Sequence, residues 1–318
     1  MSIALTTDEQ ILLDRLEDPD AAERQLAVMA LEDIASRAAV ERLIVAVRDA
    51  DATVRRLVVG LLEDLGDGRA VPALIGALED DSAPVRQAAE AALREFRDDA
   101  AATALLGAVS HPNAEVRRAV IVALREFRDI RATEALVGAL GDGAPTVRRE
   151  AVVTLAYLRT PDAIPSLQGR LRDDDPGVRR LALGALGFFH GPALLDDFVT
   201  ALADEDWQVR AEAAIVLGRA ALGGSVPSLL RALADPYWQV QKEAAIALGR
   251  LRAVAAVPAL LGLLQATGPD LRRVAAAALG EMRAREAVAG LRALATTDED
   301  VEVKKAALRS LTAIEGLQ

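Results

Sequence analysis

His111 and His190 are the two histidines of this 318-residue chain, and they are the first candidates for metal binding or acid–base chemistry. They lie about 79 positions apart, two to three copies apart in the repeating pattern of the chain. We therefore do not expect them to share a metal ion or a proton, and His190 is interpreted as a residue at a helix end. The chain has no cysteine, which excludes thiolate metal sites, cysteine nucleophiles and disulfides.

Three acidic triplets have the composition of divalent-cation loops: 173–175, 204–206 and 298–300. They lack the glycine and the ligand spacing of an EF-hand. Each precedes a predicted helix, where acidic side chains complement the helix dipole, so we interpret them as helix caps. No phosphate-binding glycine loop is present either. The sequence therefore predicts no catalytic residue, no cofactor and no metal site.

The positions of these residues are set by a V-R-R-x-A motif that returns every 31 residues along most of the chain. A fixed period of this size indicates stacked supersecondary units. In one copy, Asp175 is a predicted N-cap and Pro176 a first helical residue, and the apolar residues that follow have helical spacing. A shorter helix is predicted at 161–171, so each copy is a helical hairpin. We also predict a capping box at 7–10 that opens the first helix.

The pattern D-x-x-V-R-x-x-A-x-x-A-L, with A-V-P-A-L-I-G-A-L at 70–78, resembles the short HEAT-like repeats named after phycobilisome bilin lyases. The resemblance covers residues 7–315. It implies an all-α fold, a right-handed alpha-alpha superhelix (α-solenoid) of about ten 31-residue helical hairpins. Residues 1–318 are expected to form a single array whose first and tenth repeats act as caps, and Glu23 in place of the usual valine suits a water-facing end.

Each copy of the motif after the first opens with an apolar residue, which we call the anchor and which is valine in most copies and Leu271 in one, and two arginine positions follow it. The resemblance implies that the first arginine pairs with aspartates between adjacent hairpins, although an anion-binding ridge stays an alternative. Gln241 and Lys304 depart from this row. The second position is basic in most copies. In HEAT-like proteins the helix that carries this position lines the concave face. We therefore predict either a basic stripe for an acidic partner or a solvated, charge-balanced face. The basic residues at this position are Arg56, Arg118, Arg149, Arg180, Lys242, Arg273 and Lys305.

Aromatic residues make up only 3% of the chain, so their placement is informative. Trp207 and Trp238 are one repeat apart at the start of a second helix, and Tyr237 is adjacent. We predict two stacked tryptophans in a partly exposed patch that binds a partner, or alternatively rings that cover the edge of the core. Tyr157 and Phe188 form a similar pair near the far end of the same helix type and extend the predicted surface across repeats 5–8.

From these features we predict a non-catalytic scaffold that binds another protein or an acidic peptide segment. The net charge of −11 makes nucleic acid an unlikely partner. No segment is apolar enough to cross a membrane and no secretory signal is recognisable, so a cytoplasmic location is expected. The alternative is a bilin lyase-like subunit that holds a tetrapyrrole against apolar groove positions. Those positions are Val122, Val153, Ile215 and Ile246.

Overall fold

Residues 5–189 and 192–316 are described by a computed structural model, and within these ranges the chain is all α-helical, with no strand. Helices alternate between a first and a second type, which together make ten hairpins. The first helices are α1 (Thr7–Asp14), α3 (Val40–Ala46), α5 (Val71–Ala77), α7 (Asp99–Ala108), α9 (Thr133–Ala139), α11 (Ile164–Gly169), α13 (Leu195–Ala201), α15 (Val226–Ala232), α17 (Val257–Leu263) and α19 (Val288–Thr297). The second helices are α2 (Ala21–Leu31), α4 (Ala52–Leu65), α6 (Ala83–Ala92), α8 (Ala114–Phe127), α10 (Pro145–Leu158), α12 (Pro176–Leu186), α14 (Trp207–Arg219), α16 (Trp238–Arg250), α18 (Pro269–Glu281) and α20 (Val301–Glu315).

The second helices begin where the sequence predicts a cap. Asp175 caps α12, its side chain accepting the backbone N–H of Val178, and Pro176 is the first helical residue. At the start of the chain the predicted box is wrong by one residue. Thr6 caps α1, its hydroxyl accepting the N–H of Glu9, while the Glu9 carboxylate accepts the N–H of Thr6.

The core is built from the anchoring residues of the repeat. The anchors are at most 8% exposed, and valine anchors such as Val54 and Val178 are fully buried. Alanines four residues further on, such as Ala182 and Ala244, are also fully buried. These positions lie on one face of each second helix, which explains why the period of the sequence matches the period of the packing.

The chain divides into two compact units, an N-terminal unit of residues 1–163 and a C-terminal unit of residues 164–318. In the N-terminal unit α2 packs on α4, α4 on α6, and α8 on α10. In the C-terminal unit α12, α14, α16, α18 and α20 pack in chain order. The all-α repeat fold is thereby confirmed, whereas the single array of residues 1–318 stays a prediction. Within the described residues, no helix combines the length and the apolar character needed to cross a membrane.

Candidate partner-binding site

The first arginine of the repeat joins adjacent hairpins. Arg55 donates through Nε and Nη2 to both carboxylate oxygens of Asp80, each at 2.7 Å, and through Nη1 to two backbone carbonyls. A bidentate pair of this kind satisfies most donors of a guanidinium that is almost buried. The same bridge occurs in Arg24–Asp49, Arg117–Asp142, Arg179–Asp204, Arg210–Asp235 and Arg272–Asp298. The structural interpretation of these arginines is confirmed.

The aspartate of each bridge comes two residues before the cap of the next second helix. Asp204 accepts the N–H of Asp206 at 2.9 Å, and Asp206 then caps α14. The Arg272 guanidinium lowers the pKa of Asp298, as Arg117 lowers that of Asp142. In the triplets 204–206 and 298–300 the first residue therefore forms a bridge and the third caps a helix, and in 173–175 Asp175 is the cap. No cluster of three or more potential metal ligands was found within residues 5–189 and 192–316.

His111 occupies the aspartate position of one bridge. Arg86, its expected partner, is exposed, and within the described residues its side chain donates only to the carbonyls of Asp80 and Asp81. The His111 Nδ1 atom accepts the N–H of Asn113 at 3.2 Å, as an aspartate oxygen does elsewhere. His111 thus keeps the local turn but not the bridge. The prediction for His190 concerns a residue outside the described ranges.

The bridge is missing a second time between α16 and α18. Gln241 replaces the arginine, and Ala266 stands 25 residues later, at the position of the bridging aspartate. The Gln241 side chain donates through Nε2 to the carbonyl of Asp235 at 2.6 Å. It therefore replaces the contact within its own hairpin and leaves the contact between hairpins unmade.

An aromatic cluster of Trp207, Tyr237 and Trp238 lies next to this gap. Trp207 stacks on Tyr237, with 5.7 Å between ring centroids and 12° between planes. Trp207 is the first residue of α14, and Tyr237 is the residue before α16. These two rings stack, so the stacking partner of Trp207 is Tyr237 and not Trp238. Arg210 covers the Tyr237 ring at 5.6 Å, and the Lys242 ammonium lies 5.9 Å from the centre of Trp238.

A cavity of about 510 Å³ opens at the same place. Its apolar wall includes Trp238, which is 46% exposed, and Leu271, which is the least buried anchor of the repeat. The remaining lining residues are Pro236, Gln241, Thr267, Gly268, Pro269 and Asp270. Sequence reasoning singled out Gln241 but missed the prolines and Leu271. Position 266 carries alanine instead of the bridging aspartate, and this departure from the repeat was the signal that could have indicated the prolines and Leu271.

The second basic position is mostly charge-balanced. Arg118 pairs with Glu90 and Glu115, each at 2.9 Å, and this pairing with Arg118 lowers the pKa of Glu90. Lys242 pairs with its neighbour Glu243 at 3.1 Å. Arg273 and Lys305 pair with an acidic residue three positions earlier. Arg149 is half-buried and Arg180 exposed. The face is thus closer to the charge-balanced alternative than to an uninterrupted basic stripe.

Tyr157 and Phe188 are exposed, as expected, and each ring carries an arginine. Arg128 lies 5.0 Å above the Tyr157 ring and also donates to its hydroxyl. Arg219 lies 5.0 Å above the Phe188 ring. Tyr157 belongs to the N-terminal unit and Phe188 to the C-terminal unit. Each ring therefore forms its own pair with an arginine.

The apolar positions named for a tetrapyrrole differ in accessibility. Val122 is only 4% exposed and belongs to the core. Val153, Ile215 and Ile246 are half-buried. Burial raises the pKa of Glu212, which lies in α14 three residues before Ile215.

Comparison with known proteins identifies relatives of the fold. The sequence profile of HEAT repeats matches residues 9–94, 85–153, 139–218, 195–277 and 262–317. The chain is similar to the crystal structure of an engineered protein, with a TM-score of 0.52 and 24% identity over 97% of this chain and 99% of that one. It is also similar to a chain in the structure of Kap95p with RanGDP, with a TM-score of 0.67 and 15% identity. That match covers 96% of this chain and 51% of the other, so this chain spans about half its length. No relative was found among curated proteins.

Proposed function

This chain belongs to the HEAT repeat family, and we propose that it is a non-catalytic scaffold that binds another protein through the surface of its second helices. The observation that carries this proposal is the aromatic cluster of Trp207, Tyr237 and Trp238 beside the cavity at Gln241. Kap95p, in the solved structure whose fold is similar, is described as binding RanGDP. A repeat fold of this kind offers an extended surface for a partner.

The aromatic cluster has the properties of an interface anchor. Tyr237 and Trp238 are 45% and 46% exposed, so much of their apolar surface contacts water. Trp and Tyr are the side chains that most often contribute large binding energies at interfaces. The stack with Trp207 and the cation contacts from Arg210 and Lys242 restrict the rings before any partner binds. Restricted rings lose less conformational entropy on binding.

The cavity gives the cluster a second element. Its apolar wall of Trp238, Pro236 and Leu271 fits an apolar side chain of a partner, and the Gln241 amide lies at its margin. Such a pocket next to exposed aromatic rings is the usual arrangement of an interface hot spot. Of the other predicted partner-binding residues, Arg180, Lys242 and Phe188 of the C-terminal unit are proposed as peripheral contacts of this site, and Arg118, Arg149 and Tyr157 as separate contacts made by the N-terminal unit.

The test compares the wild-type chain with the double variant Trp207→Ala/Trp238→Ala. The wild-type chain is used to capture a partner from a lysate of the source organism, and the purified partner is then titrated against both proteins. We expect the variant to bind about 30-fold or more weakly, the loss of roughly 2 kcal/mol typical of an interface hot spot. Because these are the only two tryptophans of the chain, wild-type fluorescence should also change on binding.

A matched control keeps this test specific. Tyr157→Ala removes another exposed aromatic ring, in the N-terminal unit, and should weaken binding far less. Circular dichroism should show the same helical content in all three proteins, since Tyr157 and Trp238 are exposed and Trp207 is half-buried. Equal affinity of the wild-type chain and the tryptophan variant would disprove the proposed site.

A further inference from the structure

The C-terminal unit carries a row of exposed arginines at the far end of its second helices. Arg219 and Arg250 are the last residues of α14 and α16, while Arg252 and Arg283 follow the ends of α16 and α18. All four are exposed. None of them forms an ion pair with a carboxylate in the ranges 5–189 and 192–316, in contrast to the arginines of the bridges.

The backbone at Arg252 and Arg283 favours glycine over arginine. Their φ angles are +48° and +54°, in the left-handed region. The N–H of Arg252 donates to the carbonyl of Gly249, and the next N–H, of Ala253, donates to Leu248, which is the Schellman end of a helix. Gly66 ends α4 in the same conformation, with a φ of +56°. Arginine at such a position is unfavourable for the backbone, yet Arg128 and Arg159 hold the same conformation in the N-terminal unit, which points to a side-chain role that recurs with the repeat.

Favourable interaction with the helix dipole explains only part of the row. Basic residues in the last turn stabilise a helix, and Arg219 and Arg250 fit that role. In the N-terminal unit, however, the positions equivalent to Arg219 and Arg250 carry Asp64, Glu95 and Glu126, whereas those equivalent to Arg252 and Arg283 carry Arg97, Arg128 and Arg159. Helix stability therefore does not require a basic residue there. The two units differ in the balance of charge: at these two positions α14, α16 and α18 carry four arginines and one acidic residue, Glu281, whereas α4, α6 and α8 carry two arginines and three acidic residues.

The charge distribution of the chain favours an acidic ligand for this edge. Residues 164–318 contain 18 basic and 19 acidic side chains, whereas residues 1–163 contain 19 basic and 29 acidic ones. The acidic excess of the chain thus lies almost entirely outside the C-terminal unit. The net charge of −11 repels every polyanion at long range, and it repels a nucleic acid, with one charge per phosphate, more strongly than a peptide of lower charge density.

We propose that this row of arginines binds an extended acidic protein segment with carboxylates at every third residue. Adjacent packed helices lie roughly 8–10 Å apart, and α14, α16 and α18 are neighbours. In the polyproline II conformation three residues span about 9 Å and every third side chain points to the same side, so each carboxylate reaches the next arginine. The inference rests on the proposed scaffold function and adds a second surface, at the end of α14 and α16 opposite to the aromatic cluster.

The test measures fluorescence anisotropy of a labelled peptide of about twelve residues built from Glu-Ser-Ser triplets, titrated with the full chain at low ionic strength. We expect binding that weakens as salt is added. Arg252→Gly/Arg283→Gly should weaken it about fivefold to tenfold, as expected for two exposed charge pairs. The same variant should unfold at a higher temperature, because glycine suits the left-handed positions. If these arginines have a purely structural role, the variant should instead unfold at a lower temperature than the wild type.

Two control variants separate the alternatives. Arg273→Gln/Lys305→Gln removes the same charge at the other end of α18 and α20 and should leave peptide affinity unchanged. Trp207→Ala/Trp238→Ala should also leave it unchanged, so failure of the aromatic site and failure of the arginine row are distinguishable. The proposal is overturned if the glycine variant binds as well as the wild type. It is also overturned if a peptide with contiguous glutamates, a Lys-Ser-Ser peptide or a single-stranded oligonucleotide binds equally well.

Discussion

Gly218 on α14 lies directly against the backbone of Ala247 on α16. A Cβ atom placed on Gly218 would lie 2.7 Å from the Ala247 Cα, closer than atoms of this type approach one another. Gly249 and Gly280 hold the same position in the next two repeats and meet α18 and α20 in the same way. The C-terminal unit therefore uses glycine to bring its second helices together.

We predict that Gly218→Ala destabilises the protein by about 1–2 kcal/mol. Overpacking by one methyl group against backbone usually costs about 1–3 kcal/mol, and the higher helix propensity of alanine offsets part of that cost. The free energy of unfolding from urea titration measures the difference. The control is Gly60→Ala in α4, where nothing lies within 4 Å of the added atom, and it should stabilise by about 0.5–1 kcal/mol. A stabilising effect at both positions would contradict the close contact.

The features that the sequence predicts well are those set by local rules. Asp175 and Asp206 cap their helices because an N-cap depends on residues within one turn. Burial of Val54 and Val178 follows from helical periodicity, which repeats in every copy. The arginine bridges were implied by family resemblance and have the expected partners, although each aspartate precedes the cap by two residues.

The features that sequence reasoning missed depend on contacts between elements. The stack of Trp207 on Tyr237 joins residues one position off the 31-residue period, so a search at that period finds Trp238 instead. The cavity at Gln241 lies beside the missing bridge, and of the two positions that depart from the bridge pattern, Gln241 and Ala266, the sequence analysis singles out only Gln241. Positive φ at Arg252 could not be predicted, because arginine does not signal a left-handed conformation.

Completion of the bridge at Arg86 should stabilise the N-terminal unit. His111→Asp supplies a carboxylate where Arg86 has none, and an aspartate oxygen can still accept the N–H of Asn113. We expect a gain of about 0.5–1 kcal/mol, because Arg86 is exposed and solvent screens the pair. Thermal unfolding of the single variants and of Arg86→Ala/His111→Asp measures the coupling. If the aspartate stabilises equally with Arg86 absent, the gain does not come from a bridge.

The bridges should make the stability of the protein depend on acid pH. Ion pairing with Arg272 holds the folded pKa of Asp298 below its unfolded value of about 3.9. The contribution of the pair is therefore fully present above about pH 4 and is lost as pH falls through the folded pKa. Asp298→Asn should lower the unfolding midpoint at pH 7 by more than it does at pH 2. Asp270→Asn removes a half-exposed carboxylate whose pair with Arg273 is screened by solvent, and it should lower the midpoint at pH 7 by less than Asp298→Asn.

Closing the gap between α16 and α18 links stability to the proposed function. Gln241→Arg/Ala266→Asp introduces both partners of the missing bridge, and we expect it to stabilise the protein by about 1 kcal/mol. The larger side chain at position 241 should also fill part of the cavity beside Trp238. If that cavity receives a partner side chain, binding measured by calorimetry should weaken about tenfold although the fold is more stable. The single variant Gln241→Arg provides the comparison, since its arginine occupies the same space but has no carboxylate at position 266 to hold it in place. Undiminished binding by the double variant would show that the partner does not use this cavity.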